Sequence, residues 1–145
     1  MNVKSIHILL VEDNAGDILL TTEALEEGKI TNKISVVKDG DEAINFLIKK
    51  GSYSATESPD LILLDINLPR KNGHEVLEYV RGSDAFKQIP VIMLTTPSSE
   101  SDIIYSYRNF ANCYITKPVD VNDCMEAVTK IEDFWINIVK LPRTK

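Results

Sequence analysis

The chain has 145 residues, the length of one ordinary domain and too few for two separate cores. Hydrophobic residues make up 43% of the chain and charged residues 26%, a balance typical of globular proteins rather than of disordered or membrane chains. The formal net charge of −6, without a basic stripe in the sequence, argues against a nucleic-acid partner. We therefore expect a single globular domain over 1–145 that does not bind nucleic acid.

Two further features bear on where the protein works. The longest apolar runs have four or five residues, whereas a membrane span needs about 20. The N-terminal segment lacks a small-residue cleavage site, and acidic residues follow its short apolar run at once. Cys113 and Cys124 lie in segments that predict a strand and a helix, without metal-site spacing. These patterns predict a cytoplasmic protein with reduced thiols and no membrane partner.

Strands and helices are predicted to alternate along the chain. Apolar runs predict strands over 6–11, 34–37, 61–66, 91–94 and 113–116. Helical spacing of apolar residues predicts helices over 17–27, 41–50, 74–81, 100–110 and 120–139, with a surface loop over 49–60. The strands are almost continuously apolar, which is typical of strands buried on both faces. Five strand–helix repeats predict an α/β fold, a five-stranded parallel sheet with helices on both faces.

Polar side chains gather where the predicted strands end. Glu12 and Asp13 follow the first strand, Asp65 the third, Thr95 the fourth, and Lys117 the fifth. In open parallel sheets the ligand lies beyond the carboxyl ends of the strands, where the winding direction reverses. Each residue taken singly is more often a turn or cap residue, so the joint placement at this edge is what indicates a site.

Three of these residues are carboxylates that meet if the first and third strands are neighbours. Glu12, Asp13 and Asp65 would then repel one another strongly enough for one of them to take up a proton. A divalent cation removes this repulsion. Hard oxygen ligands that leave positions open for water and a phosphoryl group suit Mg²⁺ best, so we predict a magnesium site here.

The remaining polar residues predict phosphoryl chemistry. The Lys117 ammonium and the Thr95 hydroxyl, together with a cation, would stabilise the charge that develops on a phosphoryl group during transfer. Asp65 would be the nucleophile and would form an acyl phosphate.

The motifs that carry these residues resemble the receiver domain of two-component response regulators. They are VEDN (11–14), DINLPRKNG (65–73), Thr95 and the Lys117–Pro118 pair, and the likeness covers residues from about 6 to 131. The resemblance implies a flavodoxin-like, doubly wound sheet of order 2-1-3-4-5. It also implies that Asp65 accepts phosphate from a histidine kinase.

The resemblance implies roles for the surrounding residues as well. Asp13, Asp65 and the backbone carbonyl of Asn67 would hold Mg²⁺, which Glu12 would reach through water. Thr95 and Lys117 would contact the phosphoryl oxygens. Tyr114 matches a switch aromatic that turns inward on activation together with Thr95, and the Lys117–Pro118 bond is commonly cis in the family. Such a receiver is not a conventional enzyme, but it catalyses its own phosphorylation and dephosphorylation.

We expect the C-terminal residues 132–145 to form an apolar extension of the domain. A helix that is apolar on several faces is not expected to be exposed, so this tail either mediates homodimer formation or folds back on its own domain. The tail, the NCYITKP segment and the long loop resemble stand-alone regulators that partner cyanobacterial and bacterial phytochromes. That likeness predicts a phytochrome-type kinase, a homodimer and an unknown downstream protein as partners. The tail residues expected at the dimer contact are Phe134, Trp135, Ile138 and Leu141.

Two other functions remain open from the residues alone. A Mg²⁺-dependent phosphohydrolase could use an aspartyl nucleophile on a similar sheet, although haloacid-dehalogenase-like enzymes carry theirs on the first strand, in a DxD pattern. A phosphorylation-independent dimeric scaffold is the other, although degenerate receivers usually lose an acidic residue or the lysine. Turnover of a small phosphoester would favour the phosphohydrolase.

Overall fold

The fold is described from a computed structural model that covers residues 6–27, 33–95, 113–120, 122, 123 and 126. The strands are β1 His7–Val11, β2 Lys33–Val37, β3 Leu61–Asp65, β4 Val91–Thr95 and β5 Cys113–Thr116. The helices are α1 Ala15–Glu27, α2 Gly40–Leu47 and α3 Gly73–Gly82, and a 3₁₀ turn spans Gly51–Tyr53. The predicted helix over 100–110 lies outside the described residues, as do most of the predicted helix over 120–139 and the whole tail over 132–145.

The strands form one parallel sheet of order β2-β1-β3-β4-β5, which confirms the predicted topology. Val11 of β1 pairs with Leu64 of β3, and Asp65 pairs with Leu94 of β4. Because the strands run in the same direction, their carboxyl ends lie along one edge. The residues that follow β1, β3 and β5 are therefore close together.

Helices cover both faces of the sheet, as predicted. One hydrophobic cluster joins Leu25 of α1 to Ile8, Leu10 and Leu63 on one face. The second cluster joins residues of α2 and α3 to Leu9, Val11, Ile62 and Leu64 on the other face. Among the described residues, no helix is long and apolar enough to cross a membrane.

Strand β2 differs from the prediction that every strand is buried on both faces. β1 and β3 are buried along their whole length, whereas Val37 is the one buried residue of β2. Val36 is 40% exposed. The physical reason is position: β2 has only β1 as a neighbour, so its apolar run occupies an edge rather than the centre of the sheet.

The loop after β3 is fixed by the start of α3. The Asn72 side chain accepts a hydrogen bond from the Glu75 backbone N–H at 3.0 Å, and the Glu75 carboxylate accepts one from the Asn72 N–H at 2.9 Å. This reciprocal capping box satisfies two N–H groups that a helix start leaves unpaired. The Gly73 N–H donates to the Ile66 carbonyl at 3.0 Å. The loop that follows Asp65 is thus closed back onto the end of β3.

Gly73 sits where no side chain fits. A Cβ atom there would lie 2.4 Å from the Asp65 carbonyl oxygen and 2.8 Å from the Ile66 Cα. Gly82 lies at the other end of the same helix, and no described atom is within 4 Å of a Cβ built there. The two glycines are therefore a matched pair for testing how tightly α3 contacts β3.

We expect Gly73→Ala to lower the free energy of unfolding by about 1–3 kcal/mol, because the methyl group must push backbone atoms apart. Gly82→Ala should raise it by about 0.4–1 kcal/mol, because alanine restricts the unfolded chain. Urea denaturation of both variants measures these changes. Equal effects of the two substitutions would show that α3 does not contact β3 as closely as described.

Candidate functional site

Four of the predicted site residues meet at the carboxyl edge of the sheet. Glu12 and Asp13 follow β1, Asp65 ends β3, and Lys117 follows β5. One carboxylate oxygen from each of Glu12, Asp13 and Asp65 lies within 4.8 Å of the other two. Glu12 is fully buried and Asp65 is 2% exposed, whereas Asp13 is exposed. The cluster thus joins two buried carboxylates to one that faces solvent.

This donor set fits a hard divalent cation. Three carboxylates within reach of one ion supply the oxygen ligands that such cations prefer, and the exposed side leaves room for water and a further ligand. An open cavity of about 450 Å³ adjoins the cluster, lined by Asp13, Ile66, Asn67, Leu68, Pro69, Asn72 and His74. The Asn67 N–H donates to Asp65 Oδ1 at 3.1 Å, which orients the carboxylate.

Lys117 contacts three carboxylates at once. Its Nζ lies 3.2 Å from Glu12 Oε1, 3.2 Å from Asp65 Oδ2 and 2.9 Å from Asp17 Oδ2. Its side chain is 13% exposed. The Lys117–Pro118 peptide bond is cis, as the resemblance implies. The ammonium therefore joins Asp17 to two members of the acidic cluster, Glu12 and Asp65.

The charges of the site shift two pKa values. Burial, followed by the hydrogen bond and repulsion from Asp65, raises the pKa of Glu12 to about 7. The sequence predicted such proton uptake from repulsion alone, but burial is the larger cause. Burial of Lys117 would lower its pKa, yet the hydrogen bond to Asp17 and the attraction of Asp65 and Glu12 outweigh it and raise the pKa above its ordinary value.

The raised pKa of Glu12 predicts a pH-dependent cation affinity. Below about pH 7 the Glu12 carboxyl is protonated and no longer adds its negative charge to the cation site, so the cation affinity should fall as the pH falls, by at most about tenfold per pH unit. Calorimetric Mg²⁺ titrations between about pH 5.5 and 8 should detect proton release on binding. Glu12→Gln should remove this dependence, and an affinity of the wild type that is constant over the same range would contradict the prediction.

The sequence analysis missed Asp17. It lies in the first turn of α1 and makes the shortest of the three Lys117 contacts. The available signal was its spacing: Asp17 follows Asp13 by four residues, which is one helical turn. Asp13 precedes α1, however, so this spacing alone does not place the two carboxylates on one surface.

The structure describes the two predicted switch residues to different extents. Thr95 ends β4, where its Cα pairs with that of Thr116, but its side chain lies outside the described part of the chain. Tyr114 is half-buried on β5 and packs against the cluster formed with α2 and α3. Its role as a switch stays a prediction.

A family model for the response regulator receiver domain matches residues 8–129, which is most of the chain. The chain belongs to the response regulator receiver family. Phosphorylation of an aspartate with Mg²⁺ is typical of the family, and histidine kinases are its usual phosphodonor partners. The resemblance of the four motifs to this family is therefore confirmed.

Several relatives of this receiver are known. Response regulator Rcp1 of Synechocystis is 43% identical over 135 residues, covering 93% of this chain and 92% of Rcp1. The structure of the bacteriophytochrome response regulator RtBRR is 42% identical with a TM-score of 0.81, covering 88% of this chain and 78% of RtBRR. The structure of the phosphorylated cyanobacterial phytochrome response regulator RcpA is 43% identical with a TM-score of 0.77, covering 92% of this chain and 95% of RcpA.

Rcp1 has also been solved with a bound metal. That Mn²⁺-bound structure has a TM-score of 0.74 and 41% identity to this receiver, and the match covers 92% of this chain and 96% of Rcp1. A divalent cation is therefore found in a relative of the same fold. This receiver has an acidic cluster of three carboxylates suited to such a cation.

Proposed function

We propose that this receiver accepts a phosphoryl group on Asp65 from a phytochrome-type histidine kinase, in a Mg²⁺-dependent reaction, and signals by protein contact. One observation carries the proposal. The Asp65 carboxylate is almost fully buried, and the Lys117 ammonium contacts its Oδ2 at 3.2 Å beside two further carboxylates. A nucleophile, a fixed positive charge and cation ligands are thus combined at one point.

In the proposed transfer an oxygen of Asp65 forms a bond to phosphorus as the P–N bond of phosphohistidine breaks. The imidazole nitrogen leaves with the electron pair and takes up a proton in solution. The Asn67 N–H orients the attacking carboxylate through its bond to Oδ1. Lys117 stabilises negative charge on the phosphoryl oxygens, and we assign the Thr95 hydroxyl the same task.

Magnesium is the cation we assign to the acidic cluster. Asp13, Asp65 and the Asn67 carbonyl would hold it, with Glu12 acting through water. When bound, it would neutralise part of the charge on the phosphoryl oxygens. Support comes from the hard donor set and from the metal-bound structure of Rcp1, whose ion is Mn²⁺.

Acetyl phosphate tests whether the receiver phosphorylates itself without a kinase. With Mg²⁺ the full-length protein should gain the mass of one phosphoryl group, and with excess EDTA it should gain none. Absence of the gain in Mg²⁺ would overturn the proposal. Continuous turnover of a small phosphoester would instead favour the phosphohydrolase.

Pairing with a phytochrome-type kinase is supported by the relatives, since RtBRR and RcpA are described as phytochrome response regulators. Purified phosphorylated kinases of several classes can be offered to this receiver in competition. We expect the phytochrome-type kinase to transfer its phosphoryl group fastest. Equal rates from unrelated kinases would contradict the pairing. The phosphoryl transfer would take place in the cytoplasm, where ATP is available for the kinase to phosphorylate itself.

We further propose that the chain is one receiver domain over 1–145 that forms a homodimer through its apolar extension over 132–145. The contact residues would be Phe134, Trp135, Ile138 and Leu141, all outside the described residues. Sedimentation should give a dimer at micromolar concentration, and Trp135→Ala with Ile138→Ala should give a monomer. Leu19→Ala, at an exposed leucine of α1, is the control and should leave the dimer intact. A monomeric wild type would contradict the dimer.

The output would be a contact with an unidentified protein. We assign it to the face built by β5 and the two predicted helices on either side of it. Of that face, the structure describes β5 and only part of the last helix. A binding partner that is captured equally by Asp65→Asn under phosphorylating conditions would favour the scaffold function instead.

A further inference from the structure

The Lys117 ammonium has a carboxylate for each of its hydrogens. A lysine Nζ carries three N–H donors, and Glu12, Asp17 and Asp65 each provide one oxygen within 3.2 Å. The three carboxylates come from the end of β1, from α1 and from the end of β3. For the ammonium to donate to a phosphoryl oxygen, one of these three contacts has to be released.

The burial of the three carboxylates indicates which contact is released. Phosphorylation would remove the negative charge of the Asp65 carboxylate, so the ammonium would exchange that contact for a phosphoryl oxygen. A phosphoryl group has several acceptor oxygens, and a second N–H donor for it has to come from the contact with Glu12 or with Asp17. Glu12 is fully buried, so its carboxyl group, ionised or protonated, would lose the hydrogen bond from the ammonium without gaining one from water, which is costly. The Asp17 side chain is 30% exposed, so water can solvate its carboxylate. Asp17 is therefore the least costly contact to give up.

Asp17 is nevertheless well placed to hold the lysine beforehand. Its 2.9 Å contact is the shortest of the three. Its backbone N–H donates to Asn14 Oδ1 at 2.9 Å, which fixes it in the first turn of α1. A negative charge in that turn is also favoured by the helix dipole. The carboxylate is thus a rigid anchor that binds the segment after β5 to α1.

We propose that Asp17 is a positioning residue that holds Lys117 in the unphosphorylated receiver and releases it to the phosphoryl group. This role rests on the proposed phosphorylation of Asp65, after which Asp17 and the phosphoryl group would compete for Lys117. Because Asp17 and the phosphoryl group compete for the same N–H donor, Asp17 lowers the affinity of the site for a phosphoryl group. Phosphorylation would also break the link between α1 and the end of β5.

Beryllofluoride with saturating Mg²⁺ is the probe, because it mimics a phosphoryl group on a carboxylate without a transfer step. We expect full-length Asp17→Asn to bind it roughly five- to tenfold more tightly than the wild type. Asp17→Glu, which keeps the charge, should bind close to the wild type. Glu23→Gln removes an exposed charge from the same helix and is the control, with an affinity within about twofold.

A double-mutant cycle separates the lysine contact from a simple charge effect. In a Lys117→Met background, Asp17→Asn should no longer tighten beryllofluoride binding, since the donor under competition is gone. If Asp17→Asn tightened beryllofluoride binding equally in both backgrounds, or did not tighten it in the wild-type background, the role of Asp17 would be overturned. The proposed function would be unaffected. A wild type that binds no beryllofluoride would overturn the proposed function and this inference together.

Discussion

Asp65→Asn is expected to abolish the mass gain that acetyl phosphate and Mg²⁺ give the wild type. The amide has nearly the same shape as the carboxylate, so the packing at the end of β3 should be kept. It lacks the anionic oxygen that forms the bond to phosphorus. Intact-protein mass spectrometry after incubation with the donor measures the result directly.

The control for this substitution is Asp41→Asn, which makes the same change of charge. Asp41 lies in the first turn of α2, half-exposed, with the Lys71 ammonium 4.0 Å from its carboxylate. The Asp41→Asn substitution should leave the rate of phosphorylation unchanged. Phosphorylation of Asp65→Asn at the wild-type rate would refute Asp65 as the acceptor.

Lys117→Met is expected to separate phosphoryl transfer from metal binding. The rate of phosphorylation by acetyl phosphate should fall by about 100- to 1,000-fold, because the site loses the positive charge that faces the phosphoryl oxygens. The Mg²⁺ affinity should instead stay the same or rise, since the cation no longer shares Glu12 and Asp65 with an ammonium. Rapid-mixing kinetics and Mg²⁺ titration measure the two effects separately.

Lys87→Met is the matched control for the lysine. Its ammonium pairs with Asp84 at the surface, where such pairs contribute little. Both the rate and the metal affinity should remain at wild-type values. If Lys117→Met lost Mg²⁺ affinity in proportion to its rate, Lys117 would be maintaining the fold of the site rather than acting on the phosphoryl group.

The sheet and the acidic cluster could be predicted because both follow from patterns along the chain. Alternating apolar runs and helical segments leave few topologies, and parallel strands bring their carboxyl ends to one edge. Glu12, Asp13, Asp65 and Lys117 all lie within or shortly after an apolar run, so their proximity could be predicted before any distance was known.

Other features depend on distances that no pattern contains. The apolar run of β2 predicts burial like that of the other strands. The edge position that exposes Val36 follows from the strand order, which the family resemblance implied but the apolar pattern does not contain. Asp17 contacts a lysine 100 residues away, and its helix had to be oriented on the sheet before that contact could be seen. The pKa of Glu12 is governed first by burial, which becomes known only from packing.

Peptide mapping of the phosphorylated wild type tests the central claim most directly. The full-length protein is incubated with acetyl phosphate and Mg²⁺, digested, and the peptide that carries the phosphoryl group is sequenced by mass spectrometry. The account predicts a single modified residue, Asp65. A phosphoryl group on Asp13, Glu12 or any residue outside the carboxyl edge of the sheet would contradict it.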